Sequence, residues 1–399
     1  MNEEWRQSTL GEVCEVVGGG TPSTKEPTYW GGDIIWLSPT EVVRQDGGRI
    51  SESERTITDV GLARSSAKLV PPGTVLLTTR ASVGFVAIAD CALATNQGFQ
   101  SLICGSELIP EFLMYWVQAN REEFRRRAGG STFPEVSKAK VKDIPISYPP
   151  LPVQRRIVDL MEHLDNQVNA LNDEADTLDE MYTLSLRDLL SARGEIPLTD
   201  VVSRVRAGGT PSRKRPDFYG GAIPWLKSGE VNRDHIGATS ETITDAGLAA
   251  SSTWLVPHGS VVLAMYGQGD TKGTAGYLDV PMCTNQAVLA LVPDAQRCDG
   301  RFLLHWMRSH TDRLRAAASG AAQPNLSKEV VLRVTRFPCL SVQEQRRIAA
   351  VLDAQRDTWR HLSQESEHVR HLRGQLLASL LSGVVEIPEA YDEVLGVAS

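Results

Sequence analysis

The sequence predicts an α+β protein of two pseudo-symmetric globular domains, separated by two long helices that form an antiparallel coiled coil. Three observations carry this prediction. A set of motifs occurs twice in the same order, two stretches poor in glycine carry a heptad-like apolar seam, and the intervening segments hold short β-rich runs between Gly/Pro turns.

The duplication is explicit. Gly18-Gly19-Gly20-Thr21-Pro22-Ser23 returns as Ala207-Gly208-Gly209-Thr210-Pro211-Ser212, and Ile57-Thr58-Asp59-Val60-Gly61-Leu62-Ala63 returns as Ile243-Thr244-Asp245-Ala246-Gly247-Leu248-Ala249. Leu69-Val70-Pro71-Pro72-Gly73 pairs with Leu255-Val256-Pro257-His258-Gly259, Thr95-Asn96-Gln97 with Thr284-Asn285-Gln286, and Gln154-Arg155-Arg156-Ile157 with Gln345-Arg346-Arg347-Ile348. A period so much longer than the roughly 20–50 residues of solenoid repeats means domain-sized copies, each able to bury its own core. The 399 residues suit two domains of about 100–200 residues each.

The elements follow in order. A first globular domain spans 1–152, a spacer helix 153–193, a second globular domain 194–342, a second spacer helix 343–384 and a tail 385–399. Within the domains, strands are predicted at 75–79, 83–88, 261–264 and 287–292, and helices at 110–127 and 299–318. Each domain is therefore α+β, with a mixed or antiparallel sheet.

In the first spacer the seam runs through Ile157, Met161, Leu164, Val168, Leu171, Ala175, Leu178, Tyr182 and Leu189, interrupted at Ser185. The second keeps the register with Ile348, Leu352, Trp359, Leu362, Val369, Leu376 and Leu380, interrupted by polar Gln355, Ser366 and Arg373. Steps of three and four place these residues on one helix face, so each seam is a natural partner for the other. Prolines precede both helices, and Gly194 and Gly383 stand where glycine caps belong. Glu-Ile-Pro follows each stop, at Glu195-Ile196-Pro197 and Glu386-Ile387-Pro388, so the tail resembles the opening of a third unit. At 1.5 Å per residue a helix over 155–190 is roughly 50–55 Å long, which would hold the two domains apart at a fixed distance.

Composition narrows the function. No apolar run is long enough to span a bilayer, and the N-terminal residues lack a basic region followed by an apolar stretch, which reads as a cytoplasmic chain with no membrane partner. The six cysteines form no C-x-x-C pair and have no histidine at zinc spacing, which argues against a metal site. The net charge of −8 has the wrong sign for a surface that attracts nucleic acid everywhere, so binding of that kind must rest on local clusters or on a partner. The Gly-rich segments at 18–25 and 207–214 fail the phosphate-loop pattern, and Pro22 and Pro211 interrupt the run of amides. H-E-x-x-H, G-x-S-x-G and a Rossmann glycine motif are missing, and so is any N/D-P-P-[YF] motif, so no catalytic residues are assigned.

What remains is a set of loops carrying basic and amide side chains, placed alike in both copies. The candidates for DNA contact are Lys25, Arg44, Arg80, Ser82, Lys138 and Lys140 in the first domain. In the second they are Arg213, Lys214, Arg215, Tyr266, Gln268, Lys272, Gln323, Asn325 and Lys328. Arginine and lysine neutralise phosphates, and the forks of Arg, Gln and Asn match the edges of guanine and adenine. The copies diverge most within these loops, as Thr79-Arg80-Ala81-Ser82 against Met265-Tyr266-Gly267-Gln268 shows. Trp36 and Trp225 stand at matching positions beside strands and read as core aromatics.

G-G-T-P-S, an aromatic-Gly-Gly, Trp-Leu, L-V-P-x-G, T-N-Q, Ser-Lys before I-P or F-P, and Q-R-R-I opening a long helix, all present twice, resemble the DNA-specificity subunit of type I restriction-modification enzymes. The likeness covers nearly the whole chain. It implies two target-recognition domains, each reading one half of a bipartite asymmetric sequence in double-stranded DNA, with the helices as an antiparallel spacer. It implies no catalytic activity and no directly bound cofactor. Two adenine-N6 methyltransferase (M) subunits would use S-adenosylmethionine, and endonuclease (R) subunits would use ATP and Mg. The alternative is a coiled-coil scaffold for protein partners that does not touch DNA.

Overall fold

The computed structural model describes residues 5–129, 134–190, 194–231, 234–267, 271–319 and 325–394. The chain divides into two compact units, residues 1–171 with 365–399 and residues 172–364, so each long helix contributes a segment to both.

In the first unit a five-stranded mixed sheet has the order Cys14–Gly18, Phe99–Cys104, Val75–Thr78, Val86–Ala89, Arg49–Ile50. All its pairings are antiparallel except the last, which is parallel. The strand Val75–Thr78 is buried at all four positions, because both sheet faces are covered. Val75 and Leu77 join a cluster with the helix Pro110–Ala119, while Leu76 packs on the opposite face with Leu37, Ala87 and Phe99. This is why the sequence reads there as an apolar run instead of an alternation. A second sheet has the order Thr56–Ile57, Trp30–Leu37, Leu93–Thr95, Leu69–Val70.

The second unit repeats this plan. Its five-stranded sheet has the order Val202–Ala207, Val288–Pro293, Val261–Ala264, Ala275–Leu278, His235–Ile236, and Tyr219–Leu226 lies between Thr242–Ile243 and Cys283–Thr284.

The sequence predicts one helix over 110–127 and one over 299–318, and each is found as two. Pro110–Ala119 is followed by Arg121–Arg127, and Gly300–Ser309 by Thr311–Ser319. At the first break Asn120 Nδ2 donates to the Trp116 carbonyl at 2.8 Å; at the second His310 Nδ1 lies 3.0 Å from the Trp306 carbonyl. In each case a side chain bonds the carbonyl one turn back, which at the first break also accepts the Asn120 backbone amide.

The long helices are Leu151–Leu190 and Val342–Leu381. In the first unit Ile157 and Met161 share a core with Leu377 and Leu380, and one turn further on Asp165 meets Arg373, so the two segments run in opposite directions. In the second unit Asp179 meets Arg356, and Tyr182 and Leu186 pack on Leu352, again antiparallel. Ile157, Met161, Val168, Leu352 and Leu380 are buried, and Leu164, Leu171, Leu178, Ile348, Trp359, Leu362 and Val369 are half-buried. Polar Ser366 is buried on the same face.

Two cap expectations part company. Gly383 takes φ +71°, with Val384 donating to the Ser379 carbonyl at 3.0 Å, which is a left-handed helix stop. Gly194 is not a cap. Its φ lies outside the left-handed region, and its carbonyl accepts from Cys339 as the chain enters the strand Glu195–Pro197.

That strand pairs with Arg336–Pro338, whereas the repeated Glu386-Ile387-Pro388 forms no strand. In the first unit the matching edge, Pro145–Tyr148, is already taken by Arg6–Thr9. The tail instead folds against the first long helix. Arg156 makes a two-point ion pair with Asp392 at 2.7 Å for each contact, and the Tyr391 hydroxyl donates to Asp159 at 2.7 Å.

Candidate nucleic-acid interface

The duplicated motifs meet at one junction in each unit. Gly20 N donates to the Thr95 carbonyl at 2.8 Å, and Gly209 N to the Thr284 carbonyl at 2.9 Å. A Cβ on Gly19 would overlap the Asn96 carbonyl, and one on Gly208 the Thr284 carbonyl, so only glycine allows the two chain segments to approach. The indole of Trp36 donates to Gly20 O at 2.9 Å and that of Trp225 to Gly209 O at 3.1 Å, both rings being buried. The Gly-Gly-Thr-Pro loop therefore spends its backbone on packing against Thr-Asn-Gln.

Outside this junction the side chains face solvent. Thr21 donates to Gln97 Oε1, and Thr210 to Gln286 Oε1. Both glutamines are exposed, and among the described residues their NH2 groups have no protein acceptor. Sequence reasoning treated Thr-Asn-Gln as a frame motif and missed these amides as surface donors. The signal was an exposed polar type recurring at one register in both copies.

Gly98 links this edge to the next, since Thr79 N donates to its carbonyl at 2.8 Å and Arg80 follows directly. The hairpin loop at 79–85 lies against the segment 134–136. Ala81 N donates to Pro134 O at 3.1 Å, Val136 N to Thr79 O at 2.9 Å, and the Arg80 guanidinium lies 3.4 Å from Glu135. Ala81 is the one non-glycine residue at positive φ (+62°) among those described, a strained state that L side chains seldom adopt. In the second unit Leu326 N donates to Met265 O at 3.1 Å, which sets exposed Asn325 beside exposed Tyr266. One frame thus presents Arg80 with Glu135 in one copy and Tyr266 with Asn325 in the other.

The remaining candidates divide. Lys25 and Lys214 are exposed in the turn after Gly-Gly-Thr-Pro, and Lys328 is exposed at the start of the helix Lys328–Val334. Lys138 is exposed on the helix Lys138–Lys142, and Lys140 there donates to the Arg127 carbonyl at 2.9 Å. Arg44 is paired with Glu54 at 2.6 Å, Arg213 with Glu241 at 2.7 Å and Arg215 with Asp217 at 2.6 Å, so these cations are partly neutralised by the protein. Arg213 and Lys227 together hold the Glu241 carboxyl down at about 2. Ser82 and Lys272 are half-buried, and Lys272 O accepts from Arg315. Gln268 and Gln323 lie outside the described residues. Among those residues no group of His, Cys, Asp or Glu could hold a metal, and no helix is long and apolar enough to cross a membrane.

Two lobes of one plan, each carrying a loop edge that differs in chemistry from its twin on a common frame, define a duplicated recognition protein. A family model described as the type I restriction modification DNA specificity domain matches residues 2–178 and again 194–369. The chain belongs to that family.

It is 35% identical to the type I restriction enzyme MjaIX specificity subunit of Methanocaldococcus jannaschii over 181 residues, 45% of this chain and 42% of the relative. It is 25% identical to the EcoR124I/EcoR124II specificity subunit of Escherichia coli over 177 residues, 43% of each. The aligned stretch is thus less than half the length of either relative. The fold matches the S subunit of a type I restriction-modification system from M. genitalium with TM-score 0.60 at 15% identity, covering 95% of this chain and 96% of that one. It also matches, with TM-score 0.60 at 18% identity over 94% and 97% of the chains, a protein from a structure addressing complex assembly and conformational transition of the type I R-M system.

Proposed function

We propose that this chain is the non-catalytic DNA-specificity subunit of a type I restriction-modification assembly in the cytoplasm. Each globular unit reads one half of a split, asymmetric site in duplex DNA. Two methyltransferase subunits, using S-adenosylmethionine, and endonuclease subunits, using ATP and Mg, supply the chemistry.

The observation that carries this reading is the pair of loop edges. A protein scaffold with two equivalent ends has no need for Arg80 with Glu135 on one end and Tyr266 with Asn325 on the other. A reader of two different half-sites does, because sequence is read by side-chain forks and apolar contacts at base edges. The reading residues are Arg80 and Ser82 in the first unit, and Tyr266, Gln268, Lys272, Gln323 and Asn325 in the second. Lys25, Arg44, Lys138, Lys140, Arg213, Lys214, Arg215 and Lys328 supply supporting positive charge.

Methylation of a base inside the duplex requires that base to be turned out into an enzyme pocket, so the subunit's task is to fix position along the DNA. The acidic balance accords with weak binding by the chain alone and firm binding with its methyltransferase. Gel shift of the chain, with and without the methyltransferase and at stated salt, tests this. Sequence-selective retention of duplex by the complex supports it, and a complex that assembles without retaining DNA returns the scaffold reading.

A further inference from the structure

Among the features that the duplication does not explain, one lies on the Gly-Gly-Thr-Pro edge. In the first unit the exposed Arg55 guanidinium stacks 3.6 Å from the Trp30 ring centre and 5.4 Å from that of Trp36. In the second, Arg213 stacks 4.4 Å from Tyr219 and 5.1 Å from Trp225.

The aromatic pairs are repeat equivalents, but the arginines are not. Arg55 stands two residues before Ile57, where the second copy has Glu241, and Arg213 follows Ser212, where the first copy has Thr24. The first unit therefore delivers its cation from the strand side and the second from the loop, and both bring it to the same spot. Inheritance of a packing detail does not produce this, since the residue has moved while the charge has stayed. Both arrangements adjoin the same loop: Trp30 Nε1 donates to Ser23 O at 3.1 Å, and the Tyr219 hydroxyl donates to Pro211 O at 2.5 Å. Lys25 and Lys214 occupy the next turn, and Gln97 and Gln286 offer their amide NH2 groups from the other side of Thr21 and Thr210.

We infer that this edge, with Arg55 and Arg213 at its centre, is the sequence-independent grip of each unit on the phosphate backbone of DNA, distinct from the diverged hairpin loops that read bases. A guanidinium laid on an aromatic face is held in one plane and keeps its outward N–H groups for an acceptor. Donors of one kind on both copies suit what is common to both half-sites, and that is the backbone. Arg55 has no carboxylate partner among the described residues, which leaves its full charge for a phosphate. Arg213 shares its charge with Glu241, so the first unit holds the stronger grip.

The inference rests on the DNA-binding reading, and the test separates the two. The chain is purified with its methyltransferase, and affinity is measured over a salt series for the duplex motif that this complex methylates and for a duplex lacking it. Arg55→Ala and Arg213→Ala should weaken both duplexes alike, lower the slope of log K against log salt by about one for Arg55 and by less for Arg213, and leave the methylated motif unchanged. Lys25→Ala and Lys214→Ala, which do not disturb the stack, should lower the slope similarly, and Arg55→Lys should restore most of it. An unchanged slope, a changed motif, or loss of the methyltransferase from the complex overturns the inference, the last by making this edge a protein interface. If the unaltered complex binds no duplex, the functional reading itself fails.

Discussion

Asp165 and Arg373, one from each long helix, meet through two hydrogen bonds of 2.7 and 3.0 Å, and Asp165 also accepts from the Tyr115 hydroxyl at 3.0 Å. The repeat places Arg356, Tyr182 and His305 at the matching positions of the second unit. There His305 Nδ1 lies 2.7 Å from the Tyr182 hydroxyl, and Arg356 stacks 5.4 Å from the Tyr182 ring. At these three positions an ion pair with a tyrosine in one unit is exchanged for a tyrosine–histidine contact in the other, where Arg356 instead pairs with Asp179 and lies 3.7 Å from Asp234.

Replacing Asp165 by Ala leaves a buried phenol without its acceptor and a half-buried guanidinium with the Gln118 side chain in place of the carboxylate. The first unit should lose about 1–2 kcal/mol, partial exposure of the pair keeping the figure below that of a dry ion pair. Urea unfolding followed by circular dichroism checks this, and an unshifted midpoint would show that the pair is idle.

Acid should weaken the second unit first. Burial pushes the His305 pKa below its ordinary value, outweighing Asp353, whose carboxylate accepts from the ring 2.9 Å away. Desolvation lowers His310 as well, and the hydrogen bond to the Trp306 carbonyl does not reverse it. The unfolded chain takes up protons near 6.5 that the folded sites refuse until lower pH, so stability is whole above that value and declines as pH falls below it. His305→Asn should flatten the decline between pH 6.5 and 5, with the remnant belonging to His310; thermal unfolding across that range measures it.

Ala81 sits at φ +62° with its amide held by Pro134 O. Ala81→Gly removes the left-handed penalty and should stabilise the first unit by about 1 kcal/mol. A midpoint that falls would mean that glycine's extra freedom in the unfolded chain prevails.

Gly19→Ala and Gly208→Ala should each damage one unit severely, because the new methyl meets backbone carbonyls that cannot move aside. Overpacking of this kind costs about 1–3 kcal/mol or more. Soluble yield and unfolding midpoint should drop alike for both, in contrast with Gly229→Ala, whose Cβ would meet nothing.

Much of the fold is legible in the sequence because the information is local. A doubled motif order, a seam stepping by three and four, and a tryptophan beside a strand need no knowledge of what lies across the chain. The two helix breaks escaped because Asn120 and His310 act through one hydrogen bond each, which no periodicity records. Gly194 misled because a glycine after a helix signals a cap only when its φ turns positive, and here the chain is already entering a strand. The tail failed to repeat for a reason of topology, its strand position being filled by Arg6–Thr9. At the interface the diverged loops were visible as divergence. Arg213 was named among the candidate contacts, but Arg55 was not, because the two occupy unrelated positions that become equivalent only when Trp30 and Tyr219 are superposed by the fold.

The most direct measurement is a map of N6-methyladenine in DNA from an unmodified host expressing this chain with its methyltransferase. Two dissimilar half-sites separated by a fixed undefined stretch are predicted, with replacement of one lobe changing one half-site alone. A continuous motif, or both half-sites changing when a single lobe is exchanged, would contradict a division of reading between the two units.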